Sequence, residues 1–402
     1  MAAHTLLVTV TGRDRPGITS ALLDALGRGD TVVEDVEQVV IRGRLVLGLL
    51  LRTSGPAASV QESLNRALTP LGMEVEVVTV APEEPRRVGG RSHVTVLGHP
   101  LRPAALGAIA GCIADYGGNI ERIVRIARYP VTAVELEVSG ADLAVLRPQL
   151  SLTAAAQQVD VAIERAGLHR RAKRLVVLDV DSTLVQGEVI ETLAAAAGCQ
   201  TEVAEITARA MRGEIDFAES LRARVEQLAG VPATVLDDVR RDLVLAPGAR
   251  TFVRTLKRLD YRLAVVSGGF TQVTDALVAD LGIDYAAANV LEIHEGRLTG
   301  RLVGPVLDRA GKAQALLRFA ADAGVPPSQT VAIGDGANDL DMLSVAGLGI
   351  AYNAKPVVRA AADAAVSVPY LDAILFLLGI SREEVEDADA ADGLDVLAPP
   401  TR

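Results

Sequence analysis

The sequence contains no tryptophan, and aromatic residues make up only 3% of its 402 positions. A core in this chain has to be built from Val, Leu, Ile and Ala, and recognition by base stacking or by an aromatic cage is disfavoured. Cysteine is nearly as scarce. Cys112 and Cys199 cannot make a disulfide framework or a four-cysteine zinc site, and both read as buried structural thiols. Positive charge is in deficit: 40 Lys and Arg face 51 Asp and Glu, a net charge of −11 that works against nucleic acid and anionic lipid. Long apolar runs are missing too, since a stretch such as Ala373–Ile380 is far short of a membrane span. The first residues, Met1-Ala2-Ala3-His4, show no charged leader or cleavage site. Together these absences predict a soluble protein of a reduced compartment, cytoplasmic, with no nucleic-acid and no membrane partner.

Half of the residues are apolar, and at about 150 residues per domain the length suggests two or three folding units. Residues 5–80 read as strand, helix, two strands, helix and strand, with the turn Gly12-Arg-Asp-Arg-Pro-Gly17 before the first helix. The same order recurs from His93 to Ile163, so a βαββαβ unit is duplicated. Between the copies lies a Pro-, Gly- and charge-rich linker. After a basic connector the pattern changes. Leu175–Leu178 is a short buried strand, residues 188–229 read as almost wholly helical, and from Ala249 helices alternate with buried strands. That pattern predicts a doubly wound α/β core with a helical insertion after its first strand. The expected boundaries are 1–81 and 92–166 for the two α+β units, with 82–91 as linker and 167–174 as connector. The α/β core follows at 175–380, with its cap at about 186–246. Ser381–Arg402, with seven acidic and two basic residues, reads as a disordered, solvated tail.

Chemistry concentrates at the predicted strand ends. Leu178-Asp179-Val180-Asp181-Ser182-Thr183 puts two carboxylates two residues apart where open parallel sheets bind ligands. One could face a substrate phosphorus and the other the leaving oxygen; capping of the next helix is the plainer alternative. Ser267-Gly268-Gly269 offers a hydroxyl and exposed backbone N–H groups, or simply a turn. Lys312 offers a point charge at a helix start. Gly334-Asp335-Gly336-Ala337-Asn338-Asp339 clusters carboxylates suited to a hard cation such as Mg²⁺. It imitates a dinucleotide fingerprint, but Asp339 stands where the third glycine belongs, so that reading fails. Gly311-Lys312-Ala313 is likewise no Walker A motif.

Four such signals in this order, at Asp179–Thr183, Ser267, Lys312 and Gly334–Asp339, resemble the haloacid dehalogenase-like superfamily, and the duplicated units resemble ACT domains. The resemblance implies a Mg²⁺-dependent phosphatase (Mn²⁺ as an alternative ion) that hydrolyses O-phospho-L-serine through an aspartyl-phosphate, the last step of serine biosynthesis. In it Asp179 is the nucleophile and Asp181 the general acid–base, while Ser267 and Lys312 grip the phosphoryl oxygens. The metal is held by Asp179, the Asp181 carbonyl and Asp335, with Asp339 and Thr183 in support. Gly268, Gly269 and Asn338 contact the phosphate end; Glu188 takes the substrate ammonium, Arg224 its carboxylate, and Met211 and Phe217 form an apolar wall. The ACT resemblance implies L-serine as effector, bound near Asp14, Gly17 and Asn119, and a homodimer or higher homo-oligomer through these domains. The second copy, Gly98-His-Pro-Leu-Arg-Pro-Ala104, lacks the Asp and Gly of the first. Two rival readings stand beside this one. One is a phosphatase or phosphotransferase for another small phosphorylated metabolite; the other is a non-catalytic amino-acid sensor.

Overall fold

Leu6, Val8 and Val10 alternate along one strand, and Val60, Leu64 and Leu68 recur every fourth residue along one helix, so each presents a single apolar face. The computed structural model describes residues 4–27, 30–81, 90–167, 170, 172–212 and 214–394. The chain divides into two units, Met1–Arg87 and Val88–Arg402. In the first, β1 (His4–Arg13), α1 (Ile18–Leu26), β2 (Thr31–Ile41), β3 (Arg44–Thr53), α2 (Ala57–Leu68) and β4 (Met73–Val80) follow in order. The sheet is antiparallel, β2-β3-β1-β4, with both helices packed on one face. Strand β2 lies at its edge, and Val32, Val36, Val39 and Ile41 along it are exposed. Linker residues 82–89 lie outside the described set.

The second unit begins with β5 (Ser92–Gly98), α3 (Pro103–Asp115), β6 (Asn119–Ala127), β7 (Thr132–Ser139), α4 (Leu143–Gln157) and β8 (Asp160–Arg165). Then comes β9 (Leu175–Leu178), and a cap containing α5 (Val189–Ala197), α6 (Gln200–Met211), α7 (Phe217–Glu226) and α8 (Val235–Asp242). The core resumes with α9 (Ala249–Arg258), β10 (Arg262–Phe270), α10 (Thr271–Leu281), β11 (Tyr285–His294) and β12 (Arg297–Val303). It ends with α11 (Arg309–Asp322), β13 (Thr330–Gly334), α12 (Leu340–Val345), β14 (Leu348–Tyr352), α13 (Pro356–Ala361), β15 (Ala364–Val366), α14 (Ile374–Leu377) and α15 (Arg382–Ala391). Strands β10, β9, β13, β14 and β15 are parallel neighbours, so the loops after them open on one edge of the sheet.

Three features depart from the sequence expectation. First, the repeat and the core are not separate sheets: β15 and β8 meet antiparallel at Ala364 and Ala162, giving one 11-stranded sheet. Leu97, Ala127, Val131, Ala133 and Ala162 of the repeat belong to the same apolar cluster as core residues such as Val176 and Ile350. Second, β11 and β12 form an antiparallel hairpin turned at Glu295 (φ +48°) and Gly296 (φ +73°). Third, the acidic tail is not uniformly solvated. Ser381 caps α15 through a reciprocal pair with Glu384. Asp389 of that helix receives Arg254 at 2.7 Å and Arg258 at 2.6 Å, two arginines one turn apart on α9. Patterned acids facing a basic stripe order 381–394, and only 395–402 lie outside the described residues. Cys112 is buried as expected, whereas Cys199 is only partly covered because it stands just before α6 at a cap corner. No described helix is long and apolar enough to cross a membrane.

Arg170 of the connector reaches Glu135 at 2.5 Å and Glu164 at 3.2 Å, tying the chain to the sheet. Burial alone would raise the Glu135 carboxyl, but hydrogen bonds from His93 and Arg170 outweigh it and hold it at about 2 instead of 4.5. A carboxyl depressed in the folded state stabilises above its unfolded value and loses that contribution as pH falls through the folded one. Glu135→Gln is therefore expected to melt below the parent at neutral pH, with the gap closing between about pH 4.5 and pH 2. Thermal unfolding across that range checks it, and a gap independent of pH would contradict it.

Candidate active site

Asp179 and Asp335 each follow directly on the last residue of a buried parallel strand. Asp179 follows β9, its N–H donating to the Ile333 carbonyl of β13 at 2.9 Å. Its Oδ1 accepts from Val180 N at 2.7 Å and its Oδ2 lies 2.7 Å from Lys312 Nζ. Lys312, on the first turn of α11, is wholly buried and also meets Asp339 Oδ1 at 2.8 Å. Burial alone would lower the lysine pKa; the two carboxylates override it, raise it and keep the ammonium charged. Asp339 Oδ2 accepts from Gly336 N at 3.0 Å, which folds the Gly334–Asp339 loop back on itself. A Cβ on Gly334 would overlap the Asp339 carboxyl, so this glycine is required by close approach.

Asp181 faces differently. Its Oδ1 accepts from Val189 N at 2.7 Å, at the start of α5, and its Oδ2 accepts from Ser267 Oγ at 3.1 Å. Ser267 Oγ in turn accepts from Gly269 N at 2.8 Å. Burial raises the Asp181 pKa, which favours a carboxylic acid able to donate a proton. Ser182 has φ +55°, a left-handed turn that sends the chain out to the cap. Thr183 Oγ1 donates to Asp335 Oδ1 at 3.3 Å.

Asp179, Asp335 and Asp339 offer carboxylate oxygens all within 4.8 Å of one another. Burial drives Asp179 well up and takes Asp335 to about 6, with Asp339 adding repulsion in both cases. Three carboxylates share one ammonium, so the cluster is short of positive charge. Hard oxygen donors with that deficit fit a divalent cation.

A cavity of about 570 Å³ opens beside these groups, bounded by the cap. Glu188 and Arg224 both line it, together with Asn338, Gly268 and Gly269. Burial and the charges of Asp181 and Asp335 push Glu188 up to about 7, against the pull of Arg224. Phe217, at the start of α7, closes on the glycine loop: a Cβ on Gly268 would stand 3.2 Å from its ring. Met211 ends α6, and its side chain is outside the described set. The expected effector residues are elsewhere. Asp14 and Gly17 lie in the β1–α1 loop of the first unit, where Asp14 N donates to Gly43 O at 2.8 Å and Gly17 has φ +94°. Asn119 opens β6 of the second unit and is exposed.

Sequence reasoning missed three residues here. Asn289, nine-tenths buried on β11, donates to the Gly268 carbonyl at 2.8 Å and accepts from Leu307 N at 2.8 Å. One amide thus ties the Ser267 loop to the segment leading into the Lys312 helix. Its signal was a lone polar residue in the apolar run Tyr285-Ala-Ala-Ala-Asn-Val290. Arg309, held by Asp341 at 2.5 Å, and Lys355 line the cavity as well, and nothing in their local sequence marks them.

Comparison with known proteins agrees with this arrangement. Residues 176–344 match the haloacid dehalogenase-like hydrolase family, and residues 4–78 and 91–164 each match an ACT domain. The chain is 59% identical to a phosphoserine phosphatase of Streptomyces coelicolor over 97% of this chain and 96% of that protein. The chain belongs to the phosphoserine phosphatase family. The Mycobacterium tuberculosis phosphoserine phosphatase SerB2 is 53% identical over 97% of each chain. Among solved structures, a probable phosphoserine phosphatase of Vibrio cholerae superposes with a TM-score of 0.57 at 36% identity, covering 75% of this chain and 88% of its own. Family membership makes this chain a phosphatase of the haloacid dehalogenase-like type.

Asn289→Ala leaves the Leu307 N–H and two loop carbonyls without a buried partner, at about 1–3 kcal/mol for each such group. The variant is expected to lose stability of that order and about tenfold in phosphatase kcat as the glycine loop loosens. Unfolding and steady-state assays check it, and unchanged kcat would remove the positioning role.

Proposed function

We propose that this chain hydrolyses O-phospho-L-serine to L-serine and phosphate, with Asp179 forming a transient aspartyl-phosphate. The observation that carries the chemistry is the ion triad Asp179–Lys312–Asp339, set beside a second carboxyl at Asp181 whose pKa burial raises. In the first step a carboxylate oxygen of Asp179 bonds to phosphorus and the phosphorus–oxygen bond to serine breaks, while Asp181 delivers its proton to the departing oxygen. In the second, Asp181 takes a proton from water, whose oxygen displaces the Asp179 carboxylate from phosphorus. Ser267 and Lys312 orient and neutralise the phosphoryl oxygens, and Asn338 and the Gly268 and Gly269 backbone border them. Asp179, Asp335 and the Asp181 carbonyl would hold Mg²⁺, with Mn²⁺ as an alternative. That ion would supply charge neutralisation for an anionic nucleophile meeting an anionic phosphate.

The substrate reading rests on a pair of opposite charges. Glu188 and Arg224 line one cavity and complement the ammonium and carboxylate of an amino acid, the guanidinium being suited to a bidentate grip. Phe217, with Met211 from α6, would wall the cavity from bulk water during transfer. The names of the relatives point the same way. L-serine acting at Asp14, Gly17 and Asn119 would make the product an effector. The exposed apolar edge at β2 supports self-association through the ACT units.

Asp179→Asn is expected to abolish phosphate release from phosphoserine, by 10³-fold or more, with an unchanged melting curve; retained release removes the nucleophile. Arg224→Ala is expected to raise KM for phosphoserine at least tenfold while leaving an aryl phosphate nearly unaffected. Equal effects on both substrates would contradict the carboxylate role. For the effector site, calorimetry of the full chain with L-serine should show binding that Asp14→Ala weakens.

A further inference from the structure

Ser220 of α7 is 2% exposed, and its hydroxyl hydrogen-bonds to nothing in the protein. A buried hydroxyl without a partner costs folding free energy, so one that persists calls for a partner from elsewhere. Ser220 stands in the wall of the catalytic cavity. Phe217, Ser220, Leu221 and Arg224 all line that cavity, at the i, i+3, i+4 and i+7 spacing of one helix face. A reciprocal cap between Asp216 and Glu219, with bonds of 2.7 and 3.1 Å, fixes where α7 starts and so which face turns inward. Phe217 closes on Gly268 at one end of that face. Arg224 folds back along the helix from the other end. Its Nε donates to the Ser220 carbonyl at 3.4 Å, which holds the guanidinium over the turn that carries the hydroxyl.

We propose that the Ser220 hydroxyl donates to the substrate carboxylate beside Arg224, which makes it a specificity-determining residue for amino-acid phosphates. The assignment rests on the phosphoserine reading. A carboxylate offers about four lone-pair sites, and a guanidinium fork fills two of them. In a cavity closed to water the remaining sites need another donor. Among the described cap residues that line the cavity, Arg224 is the only cation, and the Thr207 hydroxyl is already bonded to the Val203 carbonyl at 2.9 Å. Ser220 supplies the uncommitted hydroxyl on that side. The ammonium end is served by acids instead, since Glu188 and Glu191 line the cavity three residues apart. The hydroxyl breaks no bond when it turns about Cα–Cβ toward a ligand.

This role leaves a signature that a structural serine does not. Alanine suits the empty protein better at this position, because it favours the helix and leaves no buried oxygen unpaired. The same replacement withdraws a donor from the bound carboxylate. Folding and substrate binding therefore respond in opposite directions, whereas loss of a hydroxyl that braced the cap would weaken both.

The test is Ser220→Ala in the full chain, made in the parent and again in Arg224→Ala. Both are assayed on O-phospho-L-serine and on an aryl phosphate, and the ligand-free proteins are melted. In the parent background KM for phosphoserine is expected to rise about tenfold, as for a lost hydrogen bond to a charged group, with kcat within twofold. The constants for the aryl phosphate should stay within twofold. In Arg224→Ala, where the carboxylate has lost its anchor, the same change should raise KM for phosphoserine less than twofold. The melting temperature should equal or exceed the parent's. Unchanged KM, equal losses on both substrates, or the full effect without Arg224 overturns the assignment. A lowered melting temperature overturns it too, because it would give the hydroxyl a partner inside the cap. If the parent turns over phosphoserine and Ser220→Ala keeps its KM, only the Ser220 assignment falls; a parent that releases no phosphate removes both.

Discussion

The structure is organised around one buried ammonium. Lys312 sits between Asp179 and Asp339 at 2.7 and 2.8 Å with no exposure to solvent, and the three residues come from three separate stretches of chain. An isolated charge of this kind is prohibitively costly to bury, so the lysine is stable only where both carboxylates are delivered to it. The strand ends deliver them: β9 places Asp179, the turn after β13 places Asp339, and the start of α11 places the lysine. The rest of the loop geometry follows. Gly334 is bare because the Asp339 carboxyl occupies the volume of its Cβ, and the Gly336 N–H faces inward because that carboxyl accepts it.

The charge count then shows what the cluster lacks. One ammonium does not balance Asp179, Asp335 and Asp339, and burial, with repulsion from Asp339, raises the Asp179 and Asp335 carboxyls. On the proposed reading, a divalent cation would complete a cluster that protein groups alone leave unbalanced. Asp181 is kept out of it: its Oδ1 accepts from Val189 N and its Oδ2 from Ser267 Oγ. Two carboxyls two residues apart thus face different groups, Asp179 meeting Lys312 and Asp181 meeting Val189 N and Ser267 Oγ.

Much of this was legible in the sequence, for a physical reason. Asp179, Asp181, Lys312 and Asp335 lie at junctions of short apolar strands with turn residues, where both the period and the chemistry change together. What was not legible depends on contacts between distant segments. Asn289 matters through Gly268 and Leu307, neither near it in sequence. The ordering of α15 depends on arginines about 130 residues earlier on α9. The β11–β12 hairpin did carry a local signal in Glu295-Gly296, hidden by an expectation of continued helix–strand alternation.

The two ACT repeats build their cores differently. In Met1–Arg87, Leu6, Val8, Leu45, Leu47, Leu49 and Leu51 pack with residues of α1, α2 and β4. In the second repeat one sheet face packs on α3 and α4, while Leu97, Ala127, Val131, Ala133 and Ala162 are shared with the catalytic core. A domain that shares its apolar face cannot swing as a rigid body without exposing that face, at about 25 cal/mol for each Å² uncovered. Any signal through this repeat therefore has to be a small local adjustment. The seam between this repeat and the core also carries the polar pairs Arg147–Asp363 and Arg359–Asp160. Parting the repeat from the core would uncover that shared apolar face and break both pairs, so the two hold together as one packed body.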